Sequence, residues 1–158
     1  MIVRITAALV FGVAVTAGAL AADAQSGKPD WPQWRGPNRD GVSLEKGLLE
    51  SWPEAGPKLL WQGEGLGRGM ASIAVSGERI YTLGQRQGKT HLIAVSRQDG
   101  SQLWSAEIGP GEPNCTPTVV GGRVYSVGRQ GDLVCSDAET GAEVWRKNFG
   151  TDFGGQMM

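Results

Sequence analysis

Histidine is almost missing from this chain of 158 residues, His91 being the only one, and cysteine is confined to Cys115 and Cys135. A histidine-based triad or a zinc site needs partners that such a composition does not provide. Two cysteines are too few for a disulfide framework, even in an oxidising compartment. Clustered positive charge is lacking as well. The formal net charge is −1, and Arg68, Arg79, Arg86, Arg97, Arg123 and Arg129 stand singly among turn residues. A nucleic-acid-binding face would need basic residues gathered on one surface, so no nucleic-acid partner is expected. No amphipathic helical stretch separates the apolar segments, which argues against an α/β fold.

Glycine and short apolar runs are what the chain has in quantity. Twenty-five residues are glycine, more than twice the usual share of roughly 7 %. They follow no three-residue period, so a collagen-like helix is excluded and an all-β chain with many tight turns is implied. The N-terminus reads differently. Arg4 precedes an apolar run from Ile5 to Leu20, and Ala19-Leu20-Ala21 and Ala22-Asp23-Ala24 offer small-x-small cleavage sites. That run is short for a membrane span of about 20 residues. Residues 1–24 are therefore expected to be a signal peptide, cleaved between Ala21 and Ala24, with no stable membrane span afterwards. The first cysteine is Cys115, so a lipobox is absent. A periplasmic or secreted location is expected.

A repeat organises the remainder. Arg79-Ile80-Tyr81-Thr82-Leu83-Gly84 matches Arg123-Val124-Tyr125-Ser126-Val127-Gly128 at a spacing of 44 residues. Asp99-Gly100-Ser101-Gln102-Leu103-Trp104 matches Thr140-Gly141-Ala142-Glu143-Val144-Trp145 at 41. The change in spacing marks three extra residues in the first unit, within Gln85 to Thr90, which reads as a loop. Lys58-Leu59-Leu60-Trp61 precedes Trp104 by 43 residues and resembles the end of a further unit. In the second unit the spacing predicts strands over 116–120, 123–127, 132–136 and 143–147, with Gly121-Gly122 as a hairpin turn. The first unit follows, with Ser76-Gly77 and Asp99-Gly100 at its turns. Four antiparallel strands in about 40–45 residues make the blade of a β-propeller.

The second unit, Gly131-Asp132-Leu133-Val134-Cys135-Ser136-Asp137-Ala138-Glu139-Thr140-Gly141-Ala142-Glu143-Val144-Trp145, resembles the repeat of pyrroloquinoline-quinone (PQQ)-like propellers. Its marks are a strand, an Asp-Ala-x-Thr-Gly turn and a Trp-ended strand. The stretch Trp31-Pro32-Gln33-Trp34-Arg35-Gly36-Pro37-Asn38-Arg39-Asp40-Gly41 resembles the opening of exported bacterial propellers of this type. The resemblance covers roughly residues 30–158. It implies that Gly100, Trp104, Gly141 and Trp145 dock neighbouring blades, in keeping with the large apolar area a tryptophan buries. It also implies that 59–62 is an outer strand closing the ring on a last blade.

The expected architecture is thus an all-β, incomplete propeller of four-stranded antiparallel blades. Residues 25–57 are an N-terminal extension, and 58–158 are about two blades, 68–108 and 112–149, with an N-terminal closing strand. Met157 aligns with Thr116, where a third blade would begin, so the sequence reads as an N-terminal fragment. Cys135 aligns with Ala94 in a central strand and Cys115 with Ala71, two strand spacings of about 4.8 Å apart. That is beyond the usual disulfide limit of about 7 Å, so both are expected to be free thiols.

No residue qualifies as catalytic or as a metal ligand, and no cofactor-binding residue can be named. Gly63, Gly65, Gly67 and Gly69 do not form a phosphate loop, since Arg68 and Met70 stand where a third glycine would be needed. Asn38-Arg39-Asp40-Gly41 is half a calcium loop and reads as a turn. His91 reads as a surface residue, and Asp132, Asp137 and Glu139 as solvated or turn-capping carboxylates. The resemblance allows two functions. One is a non-catalytic module offering a propeller face to a protein partner or small ligand, as in the propeller lipoprotein of the outer-membrane β-barrel assembly machinery. The other is part of a PQQ-dependent dehydrogenase, whose quinone and calcium would require residues from further blades. Fold analogy does not choose between them.

Overall fold

A computed structural model describes residues 29–156; the expected signal peptide and Met157 lie outside them. The described residues form eight strands and no helix: β1 (Ala74–Ser76), β2 (Arg79–Arg86), β3 (Lys89–Ser96), β4 (Gln102–Pro110), β5 (Thr118–Val120), β6 (Arg123–Val127), β7 (Asp132–Asp137) and β8 (Glu143–Asn148). They make two four-stranded antiparallel sheets in the orders β1-β2-β3-β4 and β5-β6-β7-β8, the pattern of an unclosed propeller. β1 packs beside β5, and β4 packs against β7.

Alternation along the strands sets the two faces of each sheet. Tyr81, Leu83, Leu92 and Ala94 share one face of blade 1, and with Ile108 they pack into one apolar cluster with Val119, Val124 and Val134 of blade 2. The core therefore lies between the blades as much as within them. Residues 66–68 lie against the far end of β2. Arg68 pairs with Gln85 there, and the Leu66 carbonyl lies so close to Gly84 that a Cβ has no room.

Several boundaries differ from the sequence expectation. The first hairpin turn is Gly77-Glu78, since Ser76 pairs with Arg79. The three extra residues of blade 1 are not a loop. They extend β2 and β3 as paired strands around a two-residue turn, Gln87-Gly88. Both turn residues have positive φ, 51° and 82°, as in the type I′ turns that match strand twist. β5 begins at Thr118 rather than at residue 116, because Pro117 has no N–H for the ladder. Residues 59–62 form no strand among the described residues, and Leu59 and Leu60 are exposed. Cys115 and Cys135 are free thiols, as expected.

Candidate functional site

Two surfaces carry side chains placed for recognition: the blade junctions, and the inner edges of the sheets with the groove beside them. The junctions repeat one another atom for atom. Trp61 Nε1 donates to the Arg97 carbonyl at 3.1 Å, and a Cβ on Gly100 would come 2.5 Å from the Trp61 ring. Trp104 Nε1 donates to the Ala138 carbonyl at 3.3 Å, and a Cβ on Gly141 would come 2.5 Å from the Trp104 ring. Arg97 and Ala138 occupy equivalent turn positions, as do Gly100 and Gly141, whose φ values are 73° and 74°. Each indole therefore lies flat on a turn of the following sheet, where only glycine leaves space.

A β-bulge aims each tryptophan. Ala94 pairs with Trp104 while Val95 pairs with Gln102, leaving Leu103 unopposed. Cys135 pairs with Trp145 while Ser136 pairs with Glu143, leaving Val144 unopposed. The extra residue kinks the outer strand at the same place in both blades. Nothing in the one-dimensional pattern marks it except the apolar residue before each tryptophan. Trp145 sits beside Tyr125 with ring centroids 6.1 Å apart, as Trp104 sits beside Tyr81 at 5.9 Å, but it is 39 % exposed.

Polar contacts fasten the same junction. Tyr81 Oη donates to the Ala138 carbonyl at 3.2 Å, and burial pushes its pKa up to about 12, against a smaller opposing pull from the Arg79 charge. Arg79 forms a two-pronged ion pair with Glu139 across the blades. Arg146 reaches the Ile108 carbonyl and pairs with Glu143 at 2.8 Å. Asp137 caps its turn, accepting from Glu139 N, Thr140 N and Thr140 Oγ1, and the Thr140 hydroxyl is the main cause of its lowered pKa. Asp99 does the same in blade 1 with Ser101. His91 lies within β3 and is half-buried rather than exposed, its Nδ1 3.1 Å from the Lys89 carbonyl.

The second surface went unread in the sequence. Residues 30–32 run along β1 and β5, the strands whose outer edges are otherwise unpaired. Trp31 exchanges backbone bonds with Val75, at 2.9 and 2.8 Å, and Val119 N donates to the Pro32 carbonyl at 2.8 Å. Beside this contact an open groove of about 1370 Å³ separates Val42, Leu44 and Leu48 of the N-terminal segment from Arg79, Tyr81, Arg97 and Glu139 on the turn side of the blades. Among the described residues no three His, Cys, Asp or Glu side chains gather as metal ligands. No described helix is long and apolar enough to cross a membrane.

Two consecutive four-stranded antiparallel sheets, the first fixed to the second by Trp104 near the start of β4, define blades of a β-propeller. The blades are of the PQQ-like kind. A family model described as outer membrane protein assembly factor BamB matches residues 88–158. BamB of Burkholderia pseudomallei is 40 % identical over 55 residues, covering 34 % of this chain and 14 % of that protein. BamB of Vibrio cholerae is 28 % identical over 102 residues, covering 63 % and 22 %. The chain thus spans about a fifth or less of the length of these relatives. The crystal structure of quinohemoprotein alcohol dehydrogenase from Comamonas testosteroni superposes with a TM-score of 0.55 at 19 % identity, over 78 % of this chain and 20 % of that one. At that identity the likeness concerns the fold alone.

Proposed function

We propose that the protein is an exported, non-catalytic propeller module that holds a protein partner or small ligand at its turn-side face. One observation carries this reading. The inner strand edges, which face the axis of a propeller, are filled by the chain's own residues 30–32, while the groove beside them stays open and is lined by mixed apolar and charged side chains. Apolar anchors with a few polar groups are the usual make-up of a binding concavity. The match of residues 88–158 to an assembly-factor family supports a binding role. Export to the periplasm or beyond rests on the basic start, apolar run and small-residue cleavage sites of residues 1–24.

The described residues do not supply the ligand set that a quinone–calcium centre needs, so no chemical step is assigned to them. The deciding experiment adds PQQ and calcium to the full-length protein and follows absorbance of the retained quinone after gel filtration. The proposal expects no retained quinone. Stoichiometric retention would overturn it in favour of a quinoprotein dehydrogenase. Substituting Leu44 and Leu48 together by Ser should weaken capture of the physiological partner, while leaving the fold intact because both side chains are exposed.

A further inference from the structure

The inner edges of the two blades form a single recognition surface for an extended segment, and its chemistry can be read from what occupies it. Strand edges present unpaired N–H and C=O groups, which makes them templates for another strand. Here β1 and β5 offer their edges side by side, and three consecutive residues bond to both. Asp30 Oδ1 accepts from Gly77 N at 2.9 Å, and Asp30 Oδ2 accepts from Ser76 Oγ at 3.0 Å, so the carboxylate closes the first hairpin turn of blade 1. Trp31 continues the ladder of β1 in antiparallel sense through its two bonds with Val75. Pro32 then passes its carbonyl to Val119 N of β5. A proline at this point has no N–H to satisfy and holds the backbone extended.

The occupant is held in shape by the loop that follows. Gly36 lies directly under the Trp31 indole, where a Cβ would come 2.8 Å from the ring, and its φ is 78°. Gln33 accepts from Arg39 Nε at 3.0 Å, and Gly41 N bonds to the Arg35 carbonyl at 2.9 Å. The loop is thereby folded back onto the tryptophan and packs against its indole.

We propose that β1 and β5 form a β-augmentation groove specific for an extended Asp-Trp-Pro segment, and that residues 30–32 fill it as an intramolecular clasp. The clasp joins blade 1 to blade 2 from the axis side and closes both edges to any other extended peptide. This goes beyond the turn-side binding role: Asp30, Trp31 and Pro32 also line the wall of that groove, but their bonds to β1 and β5 can be tested without any groove ligand.

The test uses the full-length protein. Amide exchange in the unaltered protein should show Val75 and Val119 N–H groups exchanging about tenfold or more slowly than unpaired edge amides. In Asp30→Ala/Trp31→Ala both should speed up, while Ile93 N–H in the centre of blade 1 should not. A labelled peptide of residues 29–42 should then bind that variant about tenfold or more tightly than it binds the unaltered protein. The same peptide carrying both alanines should not bind. Free-edge exchange at Val75 and Val119 in the unaltered protein would overturn the proposal. So would equal binding of the peptide to both proteins, or no binding to a folded variant. Should the double substitution unfold Ile93 as well, the unaltered protein's exchange rates decide alone.

Discussion

Blade 1 and blade 2 are built from the same repeat but sit in different surroundings, and the contrast shows where a propeller's stability resides. Trp104 and Trp145 occupy the same bulged position, each beside a tyrosine at nearly the same distance. Trp104 lies on the Gly141 turn and donates to a carbonyl, whereas Trp145 is 39 % exposed and none of the described turns receives it. Equivalent repeat positions are therefore expected to differ in energetics, because the value of the tryptophan lies in the turn that it meets. In repeat folds, stability is roughly a sum of repeat terms and interface terms, and the tryptophans isolate the second kind.

The largest expected effect breaks this comparison most directly. Trp104→Ala should lower unfolding free energy by about 3 kcal/mol or more, as for other large-to-small changes at packed sites. Trp145→Ala in the same chain should cost only about 1 kcal/mol, as part of its area already faces water. Urea unfolding followed by circular dichroism measures both without relying on tryptophan emission. Equal losses would mean that the turn contact contributes little.

The receiving turn gives the next test. Gly141→Ala combines a left-handed backbone with a methyl group driven against the Trp104 ring, and should cost about 2–4 kcal/mol. Gly121→Ala has a positive φ of 57° but nothing within 4 Å, so only the backbone cost of about 1 kcal/mol is expected. Gly100→Ala should behave like Gly141→Ala, because Trp61 stands over it in the same way. A Gly100 variant resembling Gly121→Ala would separate the two junctions that the geometry presents as equal.

These junctions were partly legible in the sequence, and the reason is physical. Tryptophan and glycine at a spacing of 41–44 residues expose the repeat, because only those two residue types fit the contact. The strands themselves followed from alternation and from Gly-containing turns, so β6 was placed correctly from residue 123 to 127. The longer β2–β3 hairpin was read as a loop, since Gln85, Arg86 and Lys89 are polar and their backbone pairing leaves no periodic trace. The clasp was not legible at all. Trp31 and Pro32 act through backbone bonds, and Asp30 through its carboxylate, on strands and a turn more than 40 residues away, and Trp31 is no more conspicuous in sequence than the exposed Trp34. Long-range edge pairing has no local signature.

Tyr81 sharpens the comparison from the polar side. Its hydroxyl shares the Ala138 carbonyl with Trp104, so Tyr81→Phe should cost about 1 kcal/mol near neutral pH. Burial raises its pKa from 10.0 to about 12. The native state therefore holds the phenolic proton more tightly than the unfolded chain. The contribution is complete below pH 10 and is lost as pH rises through about 12. Unfolding midpoints taken from pH 9 to 12 should fall more steeply for the unaltered protein than for Tyr81→Phe. Parallel profiles would show that some other group governs alkaline unfolding.

The smallest effect expected is at the Arg79–Glu139 pair, the ion pair that crosses from blade 1 to blade 2 near the same carbonyl. Its geometry is two-pronged, which favours strength, but the Glu139 side chain is 68 % exposed, so solvent screens most of the attraction. Glu139→Gln should therefore cost no more than about 0.5–1 kcal/mol, and the difference should shrink as salt is raised. By contrast the Trp104→Ala loss should not shrink with salt, since it arises from buried apolar area. A salt-insensitive loss above that range at Glu139 would mean that the junction is held by charge as well as by the tryptophan, and that the two blades are joined by more than the contact their repeat encodes.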